Sequence, residues 1–348
     1  MTWTSRYRTA ARAIAVIGAA ALVSACAGNG GAGGTGGTGG TASGGGGAYP
    51  DRTITFVVPF SAGGPTDTVT RMIAEPMGAK LGGKIVVQNV EGAGGTVGAG
   101  EVARAEPDGY TVLMHHIGMS TAPALYQDLG YQPLESFEMV GLVTEVPMTV
   151  VARKDFEPAT LQDLVTYVKA NASKVTLANA GIGAASHLCG LLFQTAAGVK
   201  LQEVPYEGTG PALTDLVGGQ VDFMCDQTTN TSGQISAKEV KVYAVTTPER
   251  VGSLPDVPTT TEAGLPQLKV SVWHGLYVPK GTPPDVVSKL SEALKTALAD
   301  QKVIDQMAKL GTAPVPAEDA TPEAHRTKLQ EQLGTWAKVI ADAGVKAG

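Results

Sequence analysis

The residues of this chain with the clearest chemical use are small ones. In "ITFVVPFSAGGPTD", residues 54–67, an apolar strand breaks at Pro59, crosses Phe60, Ser61, Ala62, Gly63 and Gly64, and enters a helix at Pro65. With Gly64 as N-cap, Pro65 takes the first helical position, where its missing N–H costs nothing. Asp67 takes the third, from which a carboxylate reaches back to the N-cap amide. The remaining N–H groups point out of the helix start, where the dipole favours negative charge and glycines permit close approach. Such a loop suits a carboxylate; taken alone, it is equally a tight turn. "NAGIGAASHL", residues 179–188, repeats strand, glycine loop and helix further along the chain. Neither stretch is a nucleotide motif: G-x-x-x-x-G-K-[ST] is missing, and "GAGGTVGAG" at 92–100 departs from the G-x-G-x-x-G spacing.

Catalytic patterns are weaker. "GMSTA" at 118–122 lacks the last glycine of the G-x-S-x-G elbow that exposes a nucleophilic serine. His115 and His116 are adjacent, so on a strand they face opposite ways, and no nearby Cys, Asp or Glu completes a metal set. His187, just inside a helix start, reads as a capping or pocket residue rather than a general base. No enzyme, cofactor or metal is expected.

The elements that must hold these loops alternate. "TITFVVPF", "KIVVQNV" and "YTVLMHH" are short apolar runs, separated by stretches with helical spacing such as Val69, Met72, Ile73 and Met77. Pro76 should kink or end the first helix. A second block starts near Val150 with "MTVVARKDF", continues into a helix opened by Thr160 and Asp163, and adds the strands "QVDFMCDQ" and "VKVYAVTT". Amphipathic helices close the chain. The alternation predicts an α/β fold with largely parallel sheet, in two lobes with a cleft between them, where small ligands bind.

The first residues belong to a different problem. Arg6, Arg8 and Arg12 precede the apolar run "AIAVIGAAALV", too short to span a bilayer. The run ends in Val23-Ser24-Ala25-Cys26, a lipoprotein cleavage box, so 1–25 read as a signal peptide and Cys26 as the lipidated residue. Residues 26–48 are a glycine-rich tether whose flexible span is about 25 Å. The chain has 26 basic side chains, three of them in the leader, against 32 acidic ones, which argues against nucleic acid as a partner. Cys189 and Cys225 read as two buried free thiols rather than a disulfide, since sequence gives no distance between them.

The longer motifs resemble the substrate-binding receptors of tripartite tricarboxylate transporters, also called Bug receptors. The resemblance runs through "YPDRTITFVVPFSAGGPTDTVTR", "GAGGTVGAGEVARAEPDGYTVL", "PYEGTGPALTDLVGGQVDF", "AVTTPERVGSLPDVPTTTEAGLP" and "WHGLYVPKGTPPDVVSKL". It implies a periplasmic-binding-protein-like fold that closes on one small organic carboxylate and delivers it to membrane permease subunits. Lobe one would be 49–150 with 273–348, and lobe two 151–272. Carried over by position, the ligand would meet Phe60, Ser61, Ala62, Gly63, Gly64 and Asp67, then Ser120 and Thr121 in "GMSTAPALY". In lobe two the matching positions are Gly181, Gly183, Ser186, His187, Tyr206, Gly208, Thr209 and Asp226. His115-His116 and "CDQTTNT" depart from the family pattern and sit where side chains would select the distal end of a ligand. A sensor subunit using the same cleft is the alternative, with a serine hydrolase far behind. The expected location is the cell envelope, exported and lipid-anchored.

Overall fold

Strand β1 (Ile54–Val58) sets the pattern for the first lobe. Ile54, Phe56 and Val58 point to one face and Val57 to the other, each side chain fully or almost fully buried, as the period of two demands. The computed structural model describes residues 49–346. The proposed signal peptide, Cys26 and the whole of the tether lie outside the described residues. Helix α1 (Pro65–Leu81) follows β1 and lays Val69, Ile73 and Met77 over its inner face. Each such buried side chain contributes roughly 1.5–3 kcal/mol of transfer free energy. Contrary to expectation, Pro76 does not end this helix, which runs on to a left-handed glycine at Gly82. Packing of the turns on either side outweighs the one backbone bond that a proline removes.

The first lobe continues with β2 (Ile85–Asn89), α2 (Thr96–Ala103), β3 (Thr111–His116) and α3 (Gly118–Leu125). The chain then enters β4 (Phe137–Arg153), a strand of 17 residues. In the second lobe lie α4 (Leu161–Asn171), β5 (Thr176–Asn179), α5 (Ala185–Ala197) and β6 (Gln202–Pro205). They are followed by α6 (Thr209–Val217), β7 (Phe223–Gln227), α7 (Thr228–Ser236) and β8 (Val240–Val245). β9 (Ser271–Pro279), α8 (Pro284–Leu298), α9 (Gln301–Lys309) and α10 (Pro322–Ala343) then complete the first lobe. Helix α4 opens at Thr160 and Asp163 as read from sequence, and the two form a capping box, each accepting from the other's amide.

The strands form one curled sheet in the order β2-β1-β3-β9-β4-β7-β5-β6, with β8 also paired to β4. It is less parallel than the alternation suggested. β1 pairs β2 and β3, and β5 pairs β6 and β7, in parallel, but every pairing made by β9 and by β4 is antiparallel. The cause is β4. Its first part, Phe137–Pro147, pairs with β9; from Met148 it pairs with β7 and, from Thr149, with β8. The chain passes from the β9 side of the sheet to the β7–β8 side within this strand, and it returns in the segment between β8 and β9. Thr246 pins the two crossings: its N–H donates to Met148 O, and its hydroxyl lies 2.6 Å from Val270 O.

The cysteines also differ from expectation. Cys189 on α5 and Cys225 on β7 are disulfide-bonded, with Cα atoms 5.8 Å apart. Helix α5 packs on β7, and that packing supplies the proximity the sequence could not.

Candidate functional site

The β1–α1 loop meets the second lobe directly. Ser61 N–H donates to Glu207 O at 3.1 Å, across the seam between the lobes. Gly208 lies so close that a Cβ there would stand 1.9 Å from Ser61 Oγ. The neighbouring loop makes a second contact, where a Cβ on Gly94 would stand 2.0 Å from Ile182 O. Two hydroxyls tie the seam further: Thr121 Oγ1 donates to Gly183 O at 2.9 Å, and Tyr126 Oη lies 2.8 Å from both Ala93 O and Ile182 O. The lobes are therefore closed on each other, and the glycines are what allow their backbones to approach.

Inside this seam, helix starts converge. In α1, Pro65 offers no N–H, Gly64 N–H donates to Ser61 O, and the amides of Thr66 and Asp67 have no acceptor among the described residues. Helix α6 starts at Thr209 with Gly208 as cap, and α7 at Thr228, with none of the three helix starts capped by a side chain. Ser61 Oγ, Gln227 Oε1 and Thr229 Oγ1 are buried without any hydrogen-bond partner. Such groups cost about 1–3 kcal/mol each unless something pairs with them. No lysine or arginine is buried among the described residues. Attraction for an anion here rests on backbone dipoles and neutral donors.

The expected site residues sort into four groups. Phe60, Ser61, Gly64, Gly181, Gly183, Gly208, Thr209 and Asp226 line the seam or lie just behind it. Asp226, only 1% exposed, accepts from Asn230 Nδ2 at 2.5 Å and from Gln227 N–H at 2.8 Å. Burial pushes its carboxyl up to about 6, against those bonds. Asn230 also donates to Thr209 O at 3.2 Å, joining β7, α6 and α7. Ser120 and Thr121 are buried with their hydroxyls committed, Ser120 to Ile117 O and Thr121 to Gly118 O and Gly183 O. Ala62 and Gly63 are exposed and form the outer rim.

The remaining four brace the site from behind. Asp67 accepts from Gly63 N–H rather than from the N-cap amide, and is forked by Arg71 and bonded by Asn89. Burial alone would raise its carboxyl, but those bonds hold it below the usual range. Ser186 Oγ accepts from Ala180 N–H, and His187 Nδ1 from Gly183 N–H, fixing the second glycine loop. His187 Nε2 stands 3.5 Å from Glu203, beside an outer cavity of about 590 Å³. Burial pulls His187 down, opposed by Glu203. Tyr206 turns its hydroxyl to Asp215 on α6.

The histidines behave differently from strand expectation. At the end of β3 both rings reach Phe60, His116 stacked at 4.5 Å and His115 edge-on at 5.7 Å. His274 on β9 lies 5.8 Å from His116, and its Nε2 is 3.4 Å from Thr66 Oγ1. Burial drives His115 down to about 4, His274 to about 3 and His116 well below the usual imidazole value, so all three are neutral at pH 7. Sequence reasoning missed Thr66, Gly94, Tyr126 and His274. A signal existed for three of them: Thr66 sits one residue past Pro65 in the first glycine loop, Gly94 lies in the glycine-rich "GAGGTVGAG", and Tyr126 ends "GMSTAPALY".

Two α/β lobes joined by crossing strands, closed over uncapped helix starts and unpaired hydroxyls, define a solute-binding receptor of the periplasmic kind. The chain belongs to the Tripartite tricarboxylate transporter family receptor group, matched over residues 69–345. Its fold is similar to that of the periplasmic binding protein BugD, at 53% identity and a TM-score of 0.84, covering 86% of this chain and 99% of that one. It is also similar to MatC from Rhodopseudomonas palustris, solved with bound malate: 42% identity, TM-score 0.82, 84% and 100% covered. A further R. palustris protein, solved with adipate, matches at 30% identity and TM-score 0.81, with 86% and 99% covered.

Proposed function

We propose that this chain is an extracytoplasmic receptor for a small dicarboxylate, which it holds between its lobes and hands to the permease of a tripartite tricarboxylate transporter. The observation that carries the reading is the pairing of free α1 amides at Thr66 and Asp67 with the unpartnered hydroxyls of Ser61 and Thr229. One carboxylate is received at α1, beside Ser61 and Gly208; the far end of the ligand faces Gln227, Thr229 and the Asp226–Asn230 pair. Malate and adipate in similar proteins support a four- to six-carbon diacid. Titration calorimetry with C4 to C6 diacids tests this, with aromatic monoacids and tricarboxylates as comparators. Tight one-to-one binding of a diacid, lost in Ser61→Ala, is expected; binding only of the comparators would overturn the diacid reading.

The same proposal places the chain on a membrane surface through Cys26, held there by the glycine tether. Cys26→Ser should move the protein from the membrane pellet to the soluble fraction. Retention in the pellet would remove the anchor from the proposal and leave the cleft untouched.

A further inference from the structure

A second cavity lies at the crossing segments between β8 and β9. It has a volume of about 300 Å³ and is walled by Ile117 between β3 and α3, Glu145 on β4, the two crossing ends at Thr246–Pro248 and Lys269–Trp273, and one face of α10. Its size is at the small end for a ligand site, enough for a single small organic molecule. Two tryptophans contribute to the walls, Trp273 at 2% and Trp336 at 5% exposure. The Trp336 N–H is already spent on Gln332 Oε1 at 3.0 Å, which leaves the Gln332 amide –NH2 without an acceptor among the described residues.

The charges around it do not balance. Lys328 is paired to Glu145 at 3.4 Å, and Glu145 also accepts the hydroxyl of Ser271. Lys269, exposed at the rim, has no side-chain partner among the described residues. Two ammonium groups therefore face one carboxylate already engaged twice, over walls in which the edges of two nearly buried indoles lie among Ile117, Pro248 and Val270. An unpaired cation beside apolar, partly enclosed surface favours an anion carrying a flat apolar body, since the body covers the rings while the charge stays at the rim.

We propose that this cavity is a second binding site, for a small aromatic or otherwise apolar monocarboxylate, separate from the cleft and independent of what the cleft takes. Its carboxylate meets Lys269, Lys328 and the Gln332 amide; its body lies against Trp273 and Trp336.

The two walls supply their own reporter. The chain has three tryptophans, Trp3 in the leader segment and Trp273 and Trp336 here, so emission from the exported protein comes from this cavity alone. Benzoate is the probe, titrated into the exported chain and three variants. A saturable change in emission is expected, with its midpoint shifted about tenfold upward by Lys269→Met or by Lys328→Met, the loss of roughly one charge-assisted contact. Ser61→Ala should leave the midpoint where it is. The proposal is overturned by an emission that does not respond, by a midpoint that neither lysine variant moves, or by one that follows Ser61→Ala, which would put benzoate in the cleft. Lys269 is exposed and Lys328 is partly so, at 30%, and circular dichroism of each variant checks its fold.

Discussion

At the scale of single residues, Gly208 is the sharpest test of the closed seam. Its φ is close to extended, so a side chain is tolerated by the backbone itself; what it cannot tolerate is Ser61, 1.9 Å from the Cβ position. Gly208→Leu should fold with near-native stability and yet lose diacid binding by about 100-fold or more, because the lobes no longer meet over the loop. A variant that binds as well as the parent would show that closure does not pass through this contact. The buried histidines make a second prediction. His115, His116, His274 and His325 all have folded-state values pushed below the usual 6.5 by burial, to about 3 in the case of His325. Each stays neutral in the fold while the unfolded chain takes up a proton. Their contribution is fully present above about pH 6.5 and is lost as pH falls toward the folded values, at about 1.4 kcal/mol per pH unit per group. Asp226, raised to about 6, works the other way between about pH 4 and 6, but it is one group against these four and His187, which burial also pulls down. Denaturant midpoints should fall from pH 7 to pH 5, and less steeply in His325→Leu. The sequence made the glycine loops readable, because only glycine spacing and a proline at a helix start were needed. It could not say which way Asp67, His187 and Tyr206 point, because their partners Asn89, Glu203 and Asp215 are chosen by tertiary packing.

At the scale of elements, the disulfide joins the helix after the second glycine loop to the strand that ends in Asp226 and Gln227. It closes a loop of 36 residues, for which chain entropy gives about 4 kcal/mol of stabilisation. Cys189→Ala with Cys225→Ala should lower the unfolding free energy by roughly 2–4 kcal/mol. Diacid affinity in the folded pair variant should drop only modestly, since α5 and β7 remain packed through Phe193 and Phe223, whose rings lie 5.3 Å apart. A denaturant curve unchanged by the double substitution would contradict this. Helix positions were legible from periodicity and caps, down to the Thr160–Asp163 box. Strand direction was not. Alternating strands and helices read as parallel sheet, and nothing in "FEMVGLVTEVPMTVVAR" announces that one strand pairs antiparallel with β9, β7 and β8 in turn. Its largely apolar sequence, broken only at Glu138, Thr144, Glu145, Pro147 and Thr149, fits any strand buried on both faces.

At the scale of the whole molecule, β4 has a consequence for how the protein comes apart. Proteins of two lobes are often two folding units joined by linkers, and then they melt in two steps. Here neither sheet can exist without residues of the same strand: residues 137–147 supply the partner of β9, and residues 148–153 the centre between β7 and β8. Loss of either half strips the other of a central strand and bares a row of unpaired amides and carbonyls. Unfolding should therefore be one cooperative transition, with fluorescence from Trp273 and Trp336 in the first lobe and far-ultraviolet dichroism from both lobes giving the same midpoint. Two separated midpoints would show the lobes to be autonomous after all. For the same reason, a fragment holding residues 154–270 alone should aggregate rather than fold, since the lobe it encodes begins in a strand that the cut removes.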